Sequence, residues 1–131
     1  MAILAIDWGT RHVGLAVSYV GVYAKALTTL SNNRALFDNL KALAKEHEVS
    51  EVVVGLPKNH DGTEAIIAKQ VRRFASQLRE KLDLPVVFED EHLTSKEAAR
   101  LLAHEVAPSD PAIDAASAKL ILEQYLSNKK K

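Results

Sequence analysis

Asp7 closes the short apolar run Ile3-Leu4-Ala5-Ile6 and is followed at once by Trp8, Gly9 and Thr10. An ionised carboxylate at the end of a buried run is costly unless a cation or hydrogen-bond donors meet it. Three roles fit these atoms: a metal-binding carboxylate, part of a nucleotide phosphate loop, or a turn-capping Asp. Two more acids invite the same question. Glu91 lies in Glu89-Asp90-Glu91-His92, directly after an apolar stretch, and Asp114 lies just past Pro111. Each alone reads as a solvated turn or a helix-dipole partner. Brought together they would repel, and their pKa values would rise, unless a cation sat between them. The chain has no cysteine, so a metal must be held by oxygen or imidazole, which favours Mg²⁺ or Mn²⁺. Two such ions about 4 Å apart could activate a water and stabilise the leaving oxygen of a phosphodiester.

The elements that would have to gather these acids can be read from periodicity. Ile3 to Ile6 reads as a buried central strand, and Val13 to Ser18 as a strand folding back on it after a short polar break. Gly9 would allow a positive φ or a close approach there. Lys25 to Leu30 gives a third strand, with Asn32 or Asn33 able to cap the helix after it. That helix carries Leu36, Leu40, Leu43 and His47 on one face. Glu51 to Gly55 is a β-branched strand, followed by a polar loop from Leu56 to Glu64 in which Asp61 and Glu64 have capping-box spacing. Ile67, Val71, Phe74, Leu78 and Leu82 form the apolar stripe of the next helix, and Pro85 to Phe88 a last strand with the acidic run beyond it. Thr94 to Glu97 reads as a second capping box, opening a short helix through Leu102. Asp110 and Pro111 start the final helix, through Ile113, Leu120, Ile121 and Tyr125. There the small Ser117 and Ala118 would let it approach the sheet.

The order is β-β-β-α-β-α-β-α-α: three hairpin-linked strands, then two strands reached by right-handed helical crossovers and parallel to the first. The expected fold is α/β, a mixed five-stranded sheet flanked by helices. Ligands bind outside the carboxyl ends of strands in such sheets. Asp7, the 57–62 loop and Asp90/Glu91 would share that edge, with Asp90 as an alternative ligand. His60 and His92 would sit there too, able to orient water or touch phosphate. Trp8 could stack on a base or pack on the core, and Lys58, Lys69, Arg72 and Arg73 could form a phosphate-facing strip.

The 131 residues are 47% hydrophobic, enough for one domain spanning 1–131 with a single core. Seventeen basic residues balance seventeen acidic ones, so nucleic acid would have to be met by a local patch, not a global field. No apolar stretch approaches membrane-spanning length and no signal segment opens the chain, which predicts a cytoplasmic protein with no membrane partner.

In sequence order, Ile6-Asp7-Trp8-Gly9-Thr10, Gly14-Leu15-Ala16-Val17-Ser18, Val54-Gly55-Leu56-Pro57 with Asn59, Asp61-Gly62-Thr63, Asp90-Glu91-His92-Leu93-Thr94 and Ile113-Asp114 with Ala116 and Ala118 resemble the YqgF/RuvX family over nearly the whole length. The family is described both as pre-16S rRNA nucleases and as Holliday-junction-resolvase-like. The resemblance implies an RNase H-like fold and a Mg²⁺- or Mn²⁺-dependent endonuclease acting on structured nucleic acid, pre-rRNA or branched DNA. It places the catalytic, metal-holding acids on Asp7, Glu91 and Asp114. Thr10, Arg11, Lys58, Asn59, His60 and His92 are the candidates for nucleic-acid contact. The chain departs from the family in carrying Trp8 where Pro is common and His92 where Arg is common, and its 105–111 segment lacks a Lys/Gly-rich loop. A homodimer would suit a two-fold junction. Competing readings are a non-catalytic nucleic-acid or ribosome-assembly module, and an ATP-binding actin-like domain, which also opens on Asp-x-Gly-Thr.

Overall fold

The computed structural model describes residues 2–59, 61–92 and 112–129. Eight elements follow one another: β1 (Ala2–Trp8), β2 (His12–Ser18), β3 (Lys25–Ser31), α1 (Leu36–Glu46), β4 (Val49–Lys58), α2 (Ala68–Leu82), β5 (Val86–His92) and α3 (Ala112–Lys129). The strands form one sheet in the order β3-β2-β1-β4-β5. β1 pairs antiparallel with β2, and β2 with β3, whereas β4 lies parallel to both β1 and β5. This is the mixed sheet expected from three hairpin-linked strands and two crossovers. The helix expected from Thr94 and the Asp110-Pro111 helix start lie outside the described residues, as does His60.

Strand alternation sends neighbouring residues of β1 to opposite faces. Leu4 and Ile6 pack with Val52 and Val54 against Leu36, Leu40, Val71 and Leu78 of α1 and α2. Ala5 packs with Ala16 and Val53 against Ala118, Ile121 and Leu122 of α3. The first face is filled by large aliphatic side chains. The second is built from alanines and glycines where it meets the start of α3, so that helix lies almost on the backbone. A Cβ on Gly14 would fall 1.9 Å from the carbonyl oxygen of Asp114. Only hydrogen fits there. Ser117 and Ala118 are buried as the small-residue pattern predicted.

Several boundaries differ from the sequence-based expectation. β4 runs on through Leu56, Pro57 and Lys58 because β5 pairs with it as far as His92. The acidic run 89–91 therefore belongs to a strand and not to a turn beyond one. Capping is also done differently. α2 starts at Ala68 with no side-chain cap, and Asp61 Oδ1 instead accepts from the amide and hydroxyl of Thr63 at 3.0 and 2.6 Å. The local turn bond wins because it is available two residues away. Asn33 Oδ1 accepts from the Ala35 amide at 2.9 Å, one turn before α1, and Asn32 Nδ2 donates to the Gly9 carbonyl at 2.8 Å. α2 ends at Asp83, held in the left-handed region at φ 54°.

Candidate active site

Asp7 is 2% exposed and Glu91 5% exposed. Both are strand residues with the parity of the α3 face: Asp7 follows Ile3 and Ala5, and Glu91 follows Val87 and Glu89. Glu89 confirms that facing, since Gln124 and Asn128 of α3 donate to its Oε2 at 2.7 and 2.8 Å. Two glycines give the carboxylates room. Gly14 is the cross-strand partner of Asp7. It brings the Asp114 backbone against the sheet beside Asp7. Gly55 is flanked by Glu91, whose Oε2 would lie 3.0 Å from an added Cβ, and by Ile121 Cδ1 at 2.5 Å. An alanine there would push on both. Asp7, Glu91 and Asp114 are thus carried to one face by β1, β5 and the first turn of α3.

Asp114 is the most open of the three, its side chain 24% exposed. Its Oδ2 lies 3.9 Å from Nδ1 of His12. His12 opens β2 immediately after the β1–β2 turn. Sequence reasoning assigned it no role, although its position five residues after Asp7 in a hairpin was a usable signal. Among the described residues, no group of three or more His, Asp or Glu side chains is arranged so that it could hold a metal ion.

Asp90 is not an alternative ligand. It shares the face of Val86 and Phe88, opposite to Glu91, and its Oδ1 lies 3.8 Å from Lys58 Nζ. Period-2 alternation separates two acids that look adjacent in sequence. Lys58 is consequently engaged with Asp90, and Asn59 with Thr63 through its side chain (3.1 Å) and its amide (2.7 Å). Arg72 is also committed: its Nε donates to Glu64 Oε1 at 2.7 Å and its guanidinium stands over Phe88. That bond holds the Glu64 carboxyl below the usual range and the Arg72 guanidinium above its own. Two of the four members of the basic strip, Lys58 and Arg72, are therefore paired. Thr10 and Arg11 stand exposed on the β1–β2 turn. Gly9 has no positive φ; its lack of a Cβ matters because the His12 carbonyl oxygen would be 2.7 Å away. The strand β5 carries His92 to the same sheet edge.

Comparison with known proteins bears on what this arrangement is for. The family described as "RuvX: Holliday junction resolvase" matches residues 1–128. The "Putative pre-16S rRNA nuclease" of Thermoanaerobacter pseudethanolicus is 37% identical over 99% of both chains. A protein of the same name from Koribacter versatilis is 38% identical over 97% of this chain and 87% of that one. Among solved structures, Thermus thermophilus RuvC in complex with a Holliday junction substrate superposes with a TM-score of 0.61 at 15% identity, covering 99% of this chain and 96% of the other. At that identity the likeness establishes the RNase H-like fold. A ROK family protein of Streptococcus pneumoniae reaches a TM-score of 0.50 at 20% identity, over 80% of this chain but 39% of that one.

Proposed function

The chain belongs to the RuvX family, and on that premise we propose that it is a divalent-metal-dependent endonuclease that processes the 5′ end of pre-16S rRNA in the cytoplasm. The observation that carries this reading is the burial of Asp7 and Glu91 on the one sheet face against which the start of α3, with Asp114, is packed through Gly14. Two carboxylates buried on a common face repel one another, and a divalent cation between them would turn that repulsion into attraction. The donor set, all hard oxygen in a chain without cysteine, fits Mg²⁺ or Mn²⁺.

Asp7, Glu91 and Asp114 would hold the ion. Once bound, a divalent cation supplies Lewis-acid polarisation of the scissile phosphate and a lowered pKa for the attacking water. The protein's own side chains do the rest. The buried strand positions of Asp7 and Glu91 fix their carboxylates with little rotamer freedom. His12, beside Asp114, is placed to orient that carboxylate. Thr10 and Arg11, exposed on the turn next to Asp7, would grip the phosphate backbone, with His92 at the end of β5 and His60 as further candidates for that contact.

The deciding experiment is a Mn²⁺ cleavage assay on a 5′-extended 16S precursor and on a four-way DNA junction, side by side, with Asp7→Asn as control. Cleavage of the precursor, abolished by EDTA and by Asp7→Asn, is the expected result. Cleavage of the junction alone would move the assignment to a resolvase, the reading favoured by the family's own description and one that calls for two copies of this chain. RNA binding with neither substrate cut would identify a non-catalytic assembly module. ATP binding by calorimetry would revive the actin-like reading, in which this chain corresponds to 39% of the ROK protein's length.

A further inference from the structure

A cavity of about 410 Å³ opens on the opposite side of β1, between the strand's end, α1 and α2. We propose that it seats an unstacked nucleobase of a single-stranded segment, at a site separate from the acid-bearing face. The ligand class rests on the nuclease reading above; the pocket's own features set what it would recognise. Its apolar floor is Trp8, Phe37 and Phe74, and Gln70, Arg73 and Gln77 stand along its rim. Its size is that of small-molecule sites, roughly 300–1,000 Å³.

The floor is an aromatic platform. Phe74 stacks on Phe37 at 5.6 Å and 25°, and Trp8 tilts against Phe74 at 6.0 Å and 35°. Trp8 is held by this packing and is still only half-buried. A base offers a π-face to such a platform whatever its identity. The rim residues recur at i, i+3 and i+7 on α2, which puts them on one helical flank. Two carboxamides each present a donor and an acceptor, matching the edge of a base. Arg73 can stack or donate. Unlike its neighbour Arg72, which is tied to Glu64, Arg73 is in no ion pair among the described residues.

Position links the pocket to the acids. Asp7 and Trp8 are consecutive and point to opposite faces of the sheet edge. A strand passing over the end of β1 could present its backbone to the Asp7 side and turn one base into the Trp8 side. A base in a duplex could not enter, because its edge and faces are already taken.

Trp8 is the only tryptophan, so its fluorescence reports on this pocket alone. The probe is a ten-nucleotide oligoadenylate RNA, titrated in EDTA so that nothing is cut, against an abasic oligomer of equal length. Base-dependent quenching is expected, with Arg73→Ala weakening binding on the order of tenfold and the double change Gln70→Ala/Gln77→Ala acting in the same direction. All three side chains are exposed on α2, and circular dichroism would verify that the variants fold. Equal quenching by the abasic oligomer, or wild-type affinity in both variants, would overturn the proposal. Base-dependent quenching by a protein that cuts neither substrate with Mn²⁺ would leave the pocket standing and remove the nuclease reading.

Discussion

The two faces of the sheet are built on different principles, and Ile6 and Asp7 show it within one peptide bond. Ile6 is wholly buried among leucines and valines on the α1/α2 face. Asp7 is nearly as buried, but on a face lined with Gly14, Gly55, Ala5, Ala16, Ala115 and Ala118. The α1/α2 face obtains stability from volume. Around Asp7, small residues let backbone approach backbone and leave room for charge. On the proposed function, stability and chemistry fall on opposite sides of the same strand, and substitutions should separate them.

The largest expected effect is on activity. Asp7→Asn keeps the shape of the side chain and removes its charge. Cleavage should fall by well over the roughly 100-fold that loss of a metal's outer-shell partner alone can cost. The urea midpoint should stay level or rise, since a buried negative charge near Glu91 is gone. A variant that loses stability along with cleavage would mean that Asp7 is structural.

Gly14→Ala should damage both properties. The added methyl would meet the Asp114 carbonyl at 1.9 Å, and that partner is backbone, which cannot swing away. A loss of about 3 kcal/mol or more is expected, at or beyond the upper end of overpacking costs. Cleavage would fall with it because α3 carries Asp114. Wild-type stability in urea titration would show that α3 docks less closely than described. Ile6→Val, one residue from Asp7, should cost about 1 kcal/mol and leave the cleavage rate of the folded protein unchanged. A drop in that rate would break the separation between the faces.

Periodicity carried most of the fold. The continuous apolar run Ile3 to Ile6, the β-branched Val52-Val53-Val54 and the stripe from Val71 to Leu78 each correspond to an element, because burial is a regional property that repeats along the chain. Boundaries were less legible. Pro57 and Lys58 look like loop until β5 pairs with them, and that pairing is a long-range fact with no local mark. The same holds at the site. Asp7 could be singled out by its place after an apolar run. Only the family resemblance separated Glu91 from Asp90, because which of them faces α3 depends on how β5 is set against β4. The hairpin placed His12 near Asp7, but its proximity to Asp114 is created by Gly14, whose small size reads in sequence only as a gap.

The smallest effect lies at the far end of α3, where the α3 face is polar for structural reasons. Tyr125 donates its hydroxyl to Glu51, and Lys129 Nζ approaches the same carboxylate at 3.3 Å. Burial first, and the hydrogen bond to Glu51 second, push the Tyr125 phenol from 10.0 up to about 12. Below pH 10 the phenol is neutral in folded and unfolded chains alike, so this contribution to stability is constant. Between about 10 and 12 the unfolded chain gives up the proton that the fold retains, so stability falls as pH rises, and it levels off once the folded phenol has also titrated. Lysines titrate in the same window, so the difference between wild type and Tyr125→Phe is the quantity to follow by urea denaturation from pH 8 to 12. That difference should stay flat to about pH 10 and then shift against the wild type. A flat difference throughout would mean that Glu51 does not hold the phenol in its protonated form. Cleavage measured near neutral pH should be the same in both proteins, because this contact lies on the acid-bearing face of the sheet but at the opposite end of α3 from Asp114.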